Sequence, residues 1–140
     1  MIRKKEAAWY GYLSKVLKSL TTGVSVTFEG LLLSKVPAKA GVYLISVKQG
    51  KQEIPYYVGR SKNLRNRIYC NHLLGTVNNA RLKKYLVEFK ECKTIDEAKQ
   101  FIKRRCSVRW FLEEDVRKRG AAEGYVTGVV FPKYGISEEH

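Results

Sequence analysis

Long apolar runs are absent from this chain of 140 residues, so no stretch of it is able to cross a membrane as a helix. Cysteine is scarce as well. Cys70, Cys92 and Cys106 are odd in number and show no CxxC spacing, which argues against a disulfide framework or a zinc site and makes a reducing cytoplasm the expected location. The first residues, Met1 to Glu6, lack the apolar core and cleavage site of a secretion signal. Acidic residues are few: 13 Asp and Glu face 27 Lys and Arg, for a net charge of +14. An excess of that size on one small chain points to a polyanionic partner. Composition alone also leaves room for a ribosomal-type or membrane-surface protein. The distribution is more telling, since residues 60–119 hold 17 of the basic residues against seven acidic ones. The length fits a single domain with a modest core.

What stands out is a pair of short apolar runs, residues 41–47 and 54–59, rich in aromatic and β-branched side chains. The polar connection between them, residues 48–53, contains a glycine, and the whole reads as a β-hairpin. Alternation sets Val42, Leu44 and Ser46 on one face and Tyr43, Ile45 and Val47 on the other. Directly behind the second strand comes a basic segment, Arg60 to Arg67, in which Ser61 or Asn63 can cap a helix reaching about Leu74. A strand that ends in glycine and feeds a basic helix N-terminus can hold a phosphate, with Gly59, Arg60, Lys62 and Arg65 as the candidate contacts. The plain alternative is an ordinary hairpin followed by a solvated basic helix.

The remaining segments build around that hairpin. In residues 3–20, Trp9, Leu13, Val16, Leu17 and Leu20 form a helical stripe with lysines on other faces. Such a helix packs on its own domain or lies on a membrane surface, and packing is the expectation. Thr21-Thr22-Gly23 ends it, and residues 24–29 alternate like a short strand. Residues 1–40 are read as an N-terminal extension packed on the same domain, or as a contact within a homo-oligomer. Residues 75–78 look like a break. A helix from Asn79 to about Phe89 should turn Leu82, Tyr85, Leu86 and Phe89 inward and Arg81, Lys83 and Lys84 outward. Thr94 with Glu97 is a capping-box pair and opens a helix over residues 95–105. Residues 106–112 alternate as a third strand, placed beside the hairpin. A last helix, residues 114–131, is ended by Pro132. It carries Gly120, Gly124 and Gly128, each costing about 1 kcal/mol relative to alanine. Close packing on the sheet is the expected offset, and close approach of a ligand the alternative. Ala122, Val126 and Val129 form an apolar stripe beside the glycines. The expected fold is α+β: a three-stranded antiparallel sheet flanked by helices, with an N-terminal helical extension.

Gly41-Val42-Tyr43, Tyr57-Val58-Gly59 and Arg67, ten positions after Tyr57, together resemble the signature of the GIY-YIG nuclease family, with valine in place of isoleucine in both motifs. The resemblance covers roughly residues 41–135 and leaves 136–140 as a tail. It implies the GIY-YIG fold and hydrolysis of phosphodiester bonds in DNA, double-stranded DNA being the partner and no membrane being involved. By the same resemblance Tyr43 orients or deprotonates the attacking water, Tyr57 lines the same pocket, and Arg67 stabilises the pentavalent phosphate. In the family a glutamate on a late helix holds the divalent cation, ahead of a Pro-x-Tyr-Asn segment. Glu123, ahead of Pro132-Lys133-Tyr134-Gly135, is the position this implies, while Glu113 and Glu114 fit the spacing poorly. A lone carboxylate suits Mg²⁺, or Mn²⁺ in its place, because such an ion keeps several waters. Free tyrosine has a pKa near ~10, so Tyr43 needs a cation beside it to act as a base, and Arg60 or Lys62 are the candidates.

Two positions depart from the family pattern. Gly135 stands where the family has asparagine. His72 follows Arg67 by five residues and not by about four, and each residue turns an α-helix by about 100°. His72 is therefore read as catalytic or structural with equal ground. Two other function classes remain. A nucleic-acid-binding module that kept the fold but not the catalysis is supported by Gly135, and predicts salt-sensitive binding without metal-dependent cleavage. A basic structural protein of a ribonucleoprotein or membrane surface would leave the spacing of Tyr43, Tyr57, Arg67 and Glu123 as coincidence.

Overall fold

The computed structural model describes residues 2–31, 33–74 and 81–136. The hairpin is its centre. Strand β2 (Gly41–Gln49) pairs with β3 (Gln52–Ser61) beyond the apolar runs, through Lys48 opposite Glu53 and Gln49 opposite Gln52. The turn therefore shrinks to Gly50 and Lys51, with Gly50 at φ +62°. A positive φ is what a two-residue hairpin turn requires. Strand β4 (Cys106–Leu112) pairs antiparallel with the other edge of β2, from Gly41 opposite Leu112 to Val47 opposite Cys106. A short strand β1 (Val26–Thr27) adds to β4, so the sheet has four strands in the order β1-β4-β2-β3, where three were expected. The alternation of residues 24–29 supplies only two paired positions, and Phe28 prolongs them with one bond from its N–H to the Cys106 carbonyl at 3.2 Å.

Between β2 and β3 the register slips: Ile45 faces Tyr57 while Ser46 faces Pro55. Tyr56 is the extra residue. The bulge lets two consecutive tyrosines, Tyr56 and Tyr57, join the same core. Pro55 is tolerated because β3 is an edge strand. The chain beyond the last helix returns along that edge. There Lys133 and Tyr134 donate their N–H groups to the carbonyls of Pro55 and Tyr56, each at 3.0 Å.

Helices cover both faces. Helix α1 (Ile2–Thr22) and a later helix, Val116–Val130, lie on the face of Val42, Leu44 and Val58, which they fill with Val16, Leu20, Ala122 and Val126. The opposite face carries Tyr43, Ile45, Val47 and Val108. The basic helix Arg65–Leu74, α2 (Arg81–Glu88) and α3 (Ile95–Arg105) close over it with Ile68, Leu82, Leu86, Ala98 and Ile102. Each buried valine, leucine or isoleucine is worth about 1.5–3 kcal/mol, so these two clusters hold the layers together. Thr94 caps α3 by accepting from the Glu97 N–H at 3.1 Å, and Glu97 reaches back to the Lys93 N–H at 2.7 Å. The last helix, α4 (Val116–Val130), starts two residues later than expected because Asp115 caps it, accepting from the N–H groups of Arg117 and Lys118 at 2.9 Å each. Among the described residues no helix is long and apolar enough to cross a membrane. Cys92 and Cys106 are buried free thiols.

Several side chains sit elsewhere than their helical stripes predict. Trp9, Phe89 and Val129 are exposed. Lys83 is fully buried, because α3 packs across that side of α2 and brings Lys99 near it. Burial, with the Lys99 charge added, pushes the Lys83 ammonium down to about 8. The expected packing against the glycines of α4 is not found among the described residues: there an added Cβ at Gly124 or Gly128 meets nothing within 4 Å, and at Gly120 it meets only Arg60. The predicted break at residues 75–78 and the start of a helix at Asn79 lie outside the described residues.

Candidate active site

One cleft of about 390 Å³ gathers most of the residues singled out from the sequence. Its floor is the hairpin, with Tyr43 from β2 and Tyr57, Gly59 and Arg60 from β3. Arg67 enters from the basic helix, and Glu123 with Gly124 from α4. Pro132, Tyr134 and Gly135 close one end. Tyr43 and Gly59 are partners across the two strands, and a Cβ at Gly59 would come within 2.4 Å of the Tyr43 hydroxyl oxygen. Glycine at 59 therefore makes room for the tyrosine ring. Gly41 does the same for the neighbouring strand, since a Cβ there would sit 2.4 Å from the Phe111 carbonyl oxygen.

Tyr43 is completely buried, its ring centroid 6.3 Å from that of Tyr57. Burial pushes its hydroxyl well above the ordinary 10, and Tyr57 adds to this. Arg67 opposes both, by charge and by a hydrogen bond. The cation that acts on Tyr43 is thus Arg67, where Arg60 or Lys62 were expected. The Arg67 Nε is itself buried and has no hydrogen-bond partner among the described residues.

Glu123 is the one carboxylate among the described residues lining the cleft, with Arg60 Nε 3.9 Å from its Oε1. Burial pushes its carboxyl above the ordinary 4.5, against the pull of Arg60 and Arg81. No group of three or more His, Cys, Asp or Glu that could hold a metal occurs among the described residues. A cation at Glu123 would have a single protein carboxylate, with water and substrate oxygens completing its shell. That donor set fits a Mg²⁺-type ion. Glu113 is engaged elsewhere, accepting from the Tyr12 hydroxyl at 2.6 Å and the Asp115 N–H at 3.0 Å.

The other candidates are scattered. Lys62 is exposed and lines a neighbouring cleft, while Arg65 lines neither and donates from Nε to the Val36 carbonyl at 2.8 Å. Residues Arg65–Leu74 wind as a π-helix. Its i to i+5 bonding brings the five-residue interval from Arg67 to His72 close to one turn, which an α-helix would not. The His72 side chain lies outside the described residues. Gly135 has φ +99°, a conformation that favours glycine, and it lies against the Tyr57 ring.

Sequence reasoning missed Tyr85 and Thr127 in the cleft and left Arg81 as either solvated charge or phosphate contact; no local pattern marks the first two. It also missed Glu91. That carboxylate accepts from the Tyr56 hydroxyl at 2.9 Å and from the Tyr134 hydroxyl, and pairs with the Lys133 ammonium. The three donors fix the segment whose Tyr134 ring forms the cleft wall.

No family model and no curated protein matches the chain. Among solved structures it is similar to the GIY-YIG N-terminal endonuclease domain of UvrC from Thermotoga maritima bound to its catalytic divalent cation, magnesium. The identity is 19%, over 74% of this chain and 91% of that one, with a TM-score of 0.41. A point mutant of the same domain, also bound to its catalytic divalent cation, matches at 19% identity over 74% of this chain and 90% of that one, with a TM-score of 0.42.

Proposed function

We propose that this chain is a divalent-metal-dependent endonuclease that hydrolyses DNA phosphodiester bonds with the chemistry of the GIY-YIG family its motifs resemble. The observation that carries this reading is the meeting of Tyr43, Tyr57, Arg67 and Glu123 in one cleft. A phosphate in the cleft would lie against Arg67, and its planar guanidinium would hold the group more strongly as charge builds on the phosphoryl oxygens. Arg60 and Arg81 add positive charge to the same cleft. Tyr43, kept protonated by its burial, is suited to orienting the attacking water through its hydroxyl more than to taking its proton. Tyr57 lines the pocket beside it. Glu123 would hold Mg²⁺ or Mn²⁺, and the bound ion supplies Lewis-acid polarisation of a phosphoryl oxygen. The net charge of +14 supports a polyanionic partner, and in this reading that partner is double-stranded DNA.

A second reading, a binding module without catalysis, is favoured by Gly135 in place of the family's asparagine. Nicking of supercoiled plasmid in Mg²⁺ separates the two. Metal-dependent nicking that EDTA and Glu123→Ala both abolish supports the nuclease. Salt-sensitive plasmid binding with no nicking supports the module, and nicking that survives Glu123→Ala takes the metal away from Glu123.

A further inference from the structure

A second cleft, of about 540 Å³, opens beside the first and shares Arg60 and Arg67 with it. One wall is the turn between β3 and the basic helix. There the Ser61 hydroxyl donates to the Asn63 carbonyl at 2.9 Å and accepts the Asn63 N–H at 3.0 Å, while Asn63 Oδ1 accepts the Asn66 N–H at 3.1 Å. That turn is locked by its own side chains and carries Lys62 exposed on it. The other wall is the first turn of α4, with Val116 and Arg119. Arg119 is only 6% exposed, and its Nη1 donates to the carbonyls of Glu113 and Glu114 at 3.2 and 2.8 Å. Its guanidinium is therefore held in place before any ligand arrives, and little side-chain freedom is left to lose on binding. Among the described residues four cations line this cleft and no acid does. The first cleft, by contrast, balances its arginines with Glu123.

We infer that the second cleft holds the phosphate adjacent to the reacting one on the same strand, with Arg119 as a positioning residue for the polynucleotide. This rests on the nuclease reading above. A strand bridging the two clefts would share Arg60 and Arg67 between neighbouring phosphates. The preferred substrate is then a polynucleotide spanning both clefts, and a small phosphodiester confined to the first would lack the contacts of Lys62 and Arg119.

Val116 offers a clean test, because it is 62% exposed in the first turn of α4 and takes no part in the chemistry. The probe is an oligonucleotide duplex, bound in EDTA at low salt so that it stays uncut. Val116→Lys should bind it more tightly than wild type and Val116→Glu more weakly, the two being about tenfold or more apart, and the gap should close as salt rises. A helix N-terminus prefers glutamate to lysine, so any effect on folding runs the opposite way. Equal affinity in wild type and both variants, or weakening by both, would overturn the subsite while plasmid nicking still decides the nuclease reading. A wild-type protein that binds no duplex would overturn both.

Discussion

Arg60 lies across the bare backbone of Gly120, so that a Cβ at Gly120 would sit 2.3 Å from its Nη1. The contact is made by the far end of a flexible side chain, which can swing away. The same arginine sets its Nε 3.9 Å from Glu123, so Gly120 holds open the space from which Arg60 balances the candidate metal ligand.

Gly120→Ala should therefore separate stability from activity. Alanine favours the helix interior by about 1 kcal/mol, so the melting temperature should hold or rise. Nicking should fall several-fold as Arg60 is displaced. Thermal melts and plasmid nicking on one preparation check both halves.

Gly124 and Gly128 form a matched pair, since neither would gain a neighbour within 4 Å but only Gly124 lines the cleft. Both alanine variants should stabilise by up to about 1 kcal/mol. Gly128→Ala should cleave like wild type, while Gly124→Ala, which narrows the cleft, should raise KM for DNA. Equal kinetics in the two would show that the bare face plays no part in binding.

Glu91 should matter at neutral pH and cease to matter in acid. Its partial burial pushes the carboxyl up, but the Lys133, Tyr134 and Tyr56 donors outweigh this and hold it below the ordinary 4.5. A depressed carboxyl contributes stability above the unfolded pKa and loses it as pH falls through the folded one. Glu91→Ala should cost about 1–2 kcal/mol at pH 7, and the difference should shrink below pH 4.5. Urea midpoints at the two pH values would show it.

Lys83 predicts a trend of the same sense in an alkaline window, though its charged form destabilises the fold where that of Glu91 stabilises it. Its folded value of about 8 lies below the ordinary 10.5, so between these the unfolded chain binds more protons. Wild type should gain stability on Lys83→Met as pH rises through that window, with a constant difference below it. A difference that stays flat from pH 7 to pH 10 would mean that Lys83 is solvated.

Local pattern carried the hairpin, the Thr94 cap and the third strand, because each is decided within a few residues. The presence of glycine at 41 and 59 was equally visible, but the reason for it is tertiary: the Phe111 carbonyl and the Tyr43 ring occupy the space. Arg65 reads as a phosphate contact from its place in the basic segment, and its Nε bond to the Val36 carbonyl, 29 positions away, is beyond any local pattern. Glu91 meets Tyr56 and Tyr134 across 35 and 43 positions, beyond any periodicity. Lys83 was placed outside because a short helix touched on two sides buries more than one stripe.

The return of residues 133–134 along β3 has a consequence for the solution behaviour of the protein. An edge strand with unpaired carbonyls is a template on which another chain can add itself. Here the carbonyls of Pro55 and Tyr56 are already taken, and Pro55 has no N–H to offer. A version truncated before Pro132 would bare that edge while leaving most of the core intact. Its characteristic failure would be strand-to-strand precipitation of otherwise folded molecules, setting in at concentrations where the longer chain stays clear.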